Sequence, residues 1–408
     1  MSPTPVDNTA VRDHPRTATE LVAAYTVDDL FFRSPRHCLL ARGSQARLRG
    51  TVDRADLGRH ASLAALSDAV AGGPGIVAGA VPFAQSSPAR LFVPEQVWSV
   101  LEPLDDEPTP VEYTAPVENR ASIENTASIG YRVSEVPTRQ AYADAVSAAL
   151  ARIATGELDK VVLARALDVS TDRPVDVPGL LRRLLGRDPT GYGYAVPLGD
   201  GRTFLGASPE LLVSRRGERV FAKPLAGSAP RSEDPVEDRR RSQALLVSVK
   251  DLREHALVTE AIARNLAACC VDVVVAPSPV LVSTAAMWHL ATPITARVRD
   301  RDVTALDLAL ALHPTPAVCG TPVSSAYDVI AELEPFERGL FAGAVGWLDA
   351  HGDGEWAVAI RCAEAGPHGL RLFAGAGVVA GSSPVGEAGE TGAKFQTMLS
   401  ALGIEHLG

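Results

Sequence analysis

Residues 375–394 read GAGVVAGSSPVGEAGETGAK, and the apolar residues Leu370, Leu372 and Phe373 lead into them. The segment reads as the end of a strand, small residues that let a ligand approach the backbone, and a helix entered at Gly386 to Gly389. On that helix Glu387 and Glu390 stand three apart and Lys394 four further on, so all three share a face. A solvated helix also gathers Glu and Lys on its outer face. A second acidic pair changes the weighing, because Asp251 and Glu254, also three apart, lie in the long helical run SQALLVSVKDLREHALVTEAIARNL. Two helices each offering a carboxylate pair suit a hard cation such as Mg²⁺, which takes one or two protein carboxylates and leaves its other positions to water and an anionic substrate.

Working outward, strands are expected at KVVLARALDV from Lys160, Gly193 to Leu198, Arg202 to Leu205, Leu211 to Ser214, Ala291 to Val298, Leu340 to Leu348, Glu355 to Ala363 and Leu370 to Ala374. Helices are expected over Pro137 to Thr155, stopped by Gly156, and at about 234–268, 303–312, 322–333 and 387–401. Many strands with few regular βαβ alternations predict an α+β fold of large, mainly antiparallel β-sheets packed as a sandwich, with helices on the outside. Residues 1–20 read as disordered, and residues 21–130 as an α+β part of the same core. That part has short strands at His37 to Ala41, Ala46 to Val52, Gly75 to Val81 and Ala89 to Val93 around a helix near Ala61 to Ala71. Glu102 to Asn125, rich in Pro, Asp, Glu and Thr, reads as a linker, and residues 131–408 as the catalytic region.

The chain has 408 residues, 46% of them hydrophobic, ample for a buried core. A net charge of −10 with scattered Arg argues against nucleic acid or an anionic membrane as partner. No apolar run approaches the ~20 residues that span a bilayer. A polar N-terminus without a signal-like apolar stretch, and five cysteines without metal-like spacing, predict a cytoplasmic protein with reduced thiols. Phosphate-loop, dinucleotide-binding, serine-hydrolase and zinc-protease motifs are absent.

In order along the chain stand LDKVVLAR, FLGASPELL, PLAGS, KDLREHALV, WHLATP, HPTPAVCGTP, AELEPFERGLFAGAVGW, AIRCA, LFAGAG and SPVGEAGETGAKF. Together these ten segments, over roughly Val136 to Leu402, closely resemble the chorismate-utilising enzymes, and among them the isochorismate synthases; the first third matches only loosely. The resemblance implies helices outside large antiparallel sheets, and a reaction that moves the ring hydroxyl of chorismate. It implies Lys160 as general base toward water and Glu210 as general acid toward the leaving hydroxyl. At neutral pH those roles require a partly neutral amine and a partly protonated carboxyl. It further implies Mg²⁺ on Glu254 and Glu390, with Asp251 and Glu387 holding metal-bound waters or lying one shell out, and a substrate carboxylate on the metal. The other carboxylate is implied at Arg361, Lys394 and the backbone N–H groups of Gly375 and Gly377, with His289 near the substrate.

Comparison within the resemblance narrows the reaction. Aminodeoxychorismate synthases carry a nucleophilic Lys where this chain has Ala226, and anthranilate synthases carry Gln in place of Lys160. Salicylate synthases, which go on to eliminate pyruvate, usually have Thr and Tyr where this chain has Ala317 and Phe341. The apolar pair resembles enzymes that stop at isochorismate. With water as nucleophile no amidotransferase subunit is expected, and a monomer is. Salicylate synthesis and a catalytically inactive homologue are the alternatives, although an idle site has no physical reason to retain buried charges. Which siderophore, menaquinone or other aromatic route uses the product stays open.

Overall fold

The computed structural model describes residues 15, 17–48, 56–101 and 130–404. Strand Lys160–Thr171 is its spine: almost wholly buried, it pairs antiparallel with Gly369–Val379 over eleven positions and with Tyr131–Val136 along the opposite edge. Gly320–Thr321 extends that edge beside Lys160. From Gly369–Val379 the sheet continues through Cys362–Gly366, Arg202–Ser208, Tyr192–Gly199, Leu30–Arg33, His37–Arg42 and Gln96–Leu101, ten strands in all. A second sheet of nine runs Cys270–Val275, Ile294–Val298, Arg219–Lys223, Leu211–Arg216, Gly354–Val358, Ala344–Asp349, Ile76–Val81, Arg90–Val93 and Ala46–Leu48. A third joins Leu225–Pro230, Met287–Ala291 and Val280–Ser283. Every pairing described is antiparallel, as the strand-rich pattern predicts.

Strand alternation builds two cores. Phe32, Leu39, Val196 and Phe204 point from the first sheet into a core shared with Val77, Val213, Val345 and Trp356 of the second. Their neighbours Phe31, Leu40, Ala195 and Leu205 point the other way, under Leu21, Leu180, Leu184, Phe395 and Leu399. Those last five come from helices Ala18–Ala24, Val177–Arg187 and Pro384–Leu402, so the large sheet is covered on both faces. Strands from before residue 102 occupy one end of both large sheets.

Several expectations need correction. The helix at 234–268 is two helices, Pro235–Leu246 and Val249–Cys269, broken where Ser248 turns extended and its hydroxyl accepts from Asp251 N–H. The strand predicted at Ala291 to Val298 is interrupted at Thr292–Pro293, between the third sheet and the second. Glu355 to Ala363 is likewise two strands in different sheets, and residues 340–343 form a turn rather than a strand start. The strand begun at Leu370 does not end at Ala374 but runs through both glycines to Val379, because Lys160–Thr171 pairs with it that far. Helix Val177–Arg187 and strands Leu30–Arg33, Gln96–Leu101, Tyr131–Val136, Arg219–Lys223, Leu225–Pro230, Cys270–Val275 and Val280–Ser283 were not expected. Residues 17–20, predicted disordered, open a helix whose first turn is closed by a Thr17–Glu20 capping box. The linker at Glu102 to Asn125 lies outside the described residues, as do residues 1–14 and the far end of the strand predicted at Ala46 to Val52.

Candidate active site

Two short links carry the chain from one large sheet to the other, and each presents a charged side chain. Between Arg202–Ser208 and Leu211–Arg216 the link holds Glu210; between Gly354–Val358 and Cys362–Gly366 it holds Arg361. The links are tied together: Ala207 N–H donates to Arg361 C=O (3.1 Å) and Val358 N–H to Glu210 C=O (3.1 Å). Arg361 takes a left-handed backbone, φ 53°, and so does the neighbouring pocket residue Ala342, φ 62°. Such a conformation costs a side chain about 1–2 kcal/mol. Backbone bonds over-determine it, including Ala342 N–H to Ala359 C=O at 2.8 Å.

Glu210 is 3% exposed. Ser208 Oγ accepts from its N–H (3.2 Å), and Leu225 N–H donates to Oε1 (3.3 Å). Burial pushes its carboxyl up to about 7, against the pull of the Leu225 N–H, Lys160, Arg361 and Lys394. Half of such groups hold a proton near neutrality. Lys160, wholly buried at the start of its strand, makes an ion pair with Glu254 Oε1 at 2.8 Å without a well-directed hydrogen bond. Gly377 lies against that pair: a Cβ there would stand 2.2 Å from Glu254 Oε1 and 3.1 Å from Lys160 Cε. The glycine is required by close approach.

Helices Val249–Cys269 and Pro384–Leu402 supply the acidic pairs, Asp251 with Glu254 and Glu387 with Glu390. Lys394 Nζ donates to Glu390 Oε1 (2.6 Å) and to Gly375 C=O (2.8 Å). Lys250 donates to Glu387 Oε1 (2.9 Å), and Ser248 to Asp251 Oδ2. Burial, then the neighbouring Glu390, raises the Glu387 carboxyl. Burial raises Asp251 too, with Glu254 and Glu390 adding to it, whereas for Glu390 burial is outweighed by Lys394, Lys250 and Ser228 and the carboxyl falls. The four carboxylates therefore act on one another across the two helices. Among the described residues no three His, Cys, Asp or Glu side chains are already drawn together as a ligand set; lysines hold the carboxylates instead. The donor chemistry fits a hard cation, since all the groups are oxygens, they carry surplus negative charge, and Glu387 Oε2 is buried without a partner.

Arg361, Lys394, Gly375, Ala317 and Phe341 line one pocket, with Val162, Val318, Ala342, Ile360, Phe373 and Ala374. Phe341 and Phe373 stack there, ring centroids 5.0 Å apart. Arg361 Nη2 donates to His289 Nε2 (3.2 Å), while Nη1 is buried with no partner. Burial, then Arg361 and Lys394, hold the His289 imidazole well below its ordinary value, so it is the neutral acceptor that bond needs. Beyond Phe373 the strand has no second neighbour in the sheet. Gly375 C=O faces that open edge, where it accepts from Lys394, and by the two-residue alternation the N–H groups of Gly375 and Gly377 face it as well.

Of the thirteen side chains and glycines singled out in the sequence, Ala317, Phe341, Arg361, Gly375 and Lys394 line that pocket. The other eight do not, and are joined to it through Arg361–His289, Lys394–Glu390, Lys160–Glu254 beside Gly377, and the charges acting among Glu210, Asp251, Glu254, Glu387 and Glu390 and the lysines. Sequence reasoning missed Lys250 and Ser228. Both lie within quoted motifs, KDLREHALV and PLAGS, but their partners are on a helix more than a hundred residues away.

The chain is 46% identical to isochorismate synthase DhbC of Bacillus subtilis, over 96% of this chain and 97% of that protein. It is 41% identical to isochorismate synthase EntC of Escherichia coli K12, over 94% and 97%. The crystal structure of DhbC from Bacillus anthracis superposes with a TM-score of 0.86 at 41% identity, covering 95% of this chain and 99% of that one. Residues 106–403 match the family model described as chorismate binding enzyme, and with relatives this similar along nearly the whole chain the protein belongs to the chorismate-utilising enzymes.

Proposed function

We propose that this protein is an isochorismate synthase, an isomerase that converts chorismate to isochorismate with Mg²⁺ as cofactor. The observation that carries the reading is a buried amine, Lys160, and a buried carboxyl near 7, Glu210, that feels the charge of Lys160 and of Arg361 and Lys394, the two cations lining the pocket. Lys160, an ammonium in the resting ion pair with Glu254, acts in its neutral amine form and takes a proton from water as the water oxygen bonds to a ring carbon. Both conjugated ring double bonds shift, and the C–O bond next to the far end of the diene breaks while Glu210 gives its proton to the departing oxygen. One water enters and one leaves, so the charge on the two side chains is restored by a proton passing back through solvent.

Arg361, with its free Nη1, Lys394 and the N–H groups of Gly375 and Gly377 would hold one carboxylate of the dianionic substrate. Phe341, Phe373 and Ala317 offer an apolar wall that adds no hydroxyl to assist elimination. Glu254 and Glu390 would hold the Mg²⁺, with Asp251 and Glu387 behind them, and when bound the cation offsets the charge of the second carboxylate.

Purified protein given chorismate should form isochorismate in the presence of Mg²⁺, stop with EDTA, and resume when Mg²⁺ is restored. Salicylate and pyruvate as the main products would overturn the synthase assignment. Gly377→Ala pushes the Glu254 carboxylate away from Lys160, and turnover is expected to fall at least about tenfold with circular dichroism unchanged. A rate equal to wild type would mean the Lys160–Glu254 contact is idle in catalysis.

A further inference from the structure

Three of the four carboxylates each have an ammonium of their own: Lys160 on Glu254 at 2.8 Å, Lys250 on Glu387 at 2.9 Å and Lys394 on Glu390 at 2.6 Å. Lys160 and Lys394 have tasks in the reaction, toward water and toward the substrate carboxylate. Lys250 has none. It stands in the first turn of the helix that carries Asp251 and Glu254, and reaches across to the other helix to hold Glu387. About a third of its side chain, 31%, is still open to solvent, so the four-carbon stem has somewhere to go when the head group is displaced.

We propose that Lys250 is the resident counter-cation of the acidic site: it neutralises Glu387 while the divalent cation is away, and weakens that cation's binding when it arrives. The inference rests on the reading of the two acidic pairs as a cation site. Four carboxylates against three ammonium groups leave a formal charge of −1, which keeps an empty, largely buried cluster foldable. A divalent ion brought to the same carboxylates must then either expel the Lys250 head group or tolerate a like charge a few ångströms off. The opposite role would have Lys250 orient Glu387 for the metal, and that would strengthen binding.

Calorimetric titration of the metal-free full chain with Mg²⁺ alone, at pH 8, separates the two. Lys250→Met is expected to bind Mg²⁺ about tenfold more tightly than wild type, and Lys250→Arg, which keeps the charge, within about twofold of it. Without metal the Met variant should melt lower than wild type, and saturating Mg²⁺ should raise its melting temperature by the larger amount. If Lys250→Met does not fold, Lys250→Gln makes the same comparison. Unchanged or weaker Mg²⁺ binding by the neutral variant, with wild type binding normally, overturns the counter-cation role alone. Wild-type protein that takes up no Mg²⁺ overturns both this role and the cation site.

Discussion

Lys160→Ala is expected to lower turnover of chorismate by about 10³-fold, the usual worth of a positioned proton acceptor. Steady-state rates beside substrate binding measure it: binding should hold within about threefold, because Arg361, Lys394 and the glycine N–H groups remain. The substitution also leaves Glu254, only 8% exposed, without its partner at 2.8 Å, so some loss of melting temperature accompanies the loss of rate. Lys250 limits that loss, since its charge also acts on Glu254. Because the two effects separate, a variant that stays folded, binds substrate and turns over within tenfold of wild type would remove Lys160 from the role of base.

Glu210→Gln is the second large effect, with about 10³-fold lost and an added signature in pH. Burial raises this carboxyl to about 7, so the proton-bearing form dominates below that value and disappears above it. Wild-type kcat/KM should therefore fall about tenfold per pH unit on the alkaline side of 7, and the residual activity of Glu210→Gln should lack that limb. Stability follows the same group by linkage. The folded chain holds this proton more tightly than an unfolded one, so stability declines as pH rises from the ordinary carboxylate range to about 7 and levels off beyond. The amide variant, with no charge to bury, should be relatively more stable than wild type at pH 8. An alkaline limb that persists in the variant would assign the titration to another group.

Much of this was legible in the chain because the relevant signals are short-range. Helical spacing placed Glu387, Glu390 and Lys394 on one face, and alternation marked the long strands. Ten motifs in order carried the family. What escaped depends on contacts between distant parts. Nothing local in SQALLVSVKDLREH announces that helices end and restart at Ser248, and that break is what puts Asp251 in a first turn. Strand propensity could not reveal that Glu210 and Arg361 sit where the chain crosses between sheets, since a crossing is defined by partners and not by residues. Gly375 and Gly377 looked like the end of a strand because glycine weakens one. Eleven cross-strand pairings override that weakness, and the small residues serve the open edge instead.

The placement of the early strands reaches beyond catalysis. Leu30–Arg33, His37–Arg42 and Gln96–Leu101 finish one large sheet, while Ile76–Val81, Arg90–Val93 and Ala46–Leu48 finish the other. A fragment beginning at Tyr131 would keep every residue proposed to meet the substrate and still not make a miniature enzyme. It would bare the flanks of Tyr192–Gly199 and Ala344–Asp349, two raw seams along which one fragment could zip onto the next.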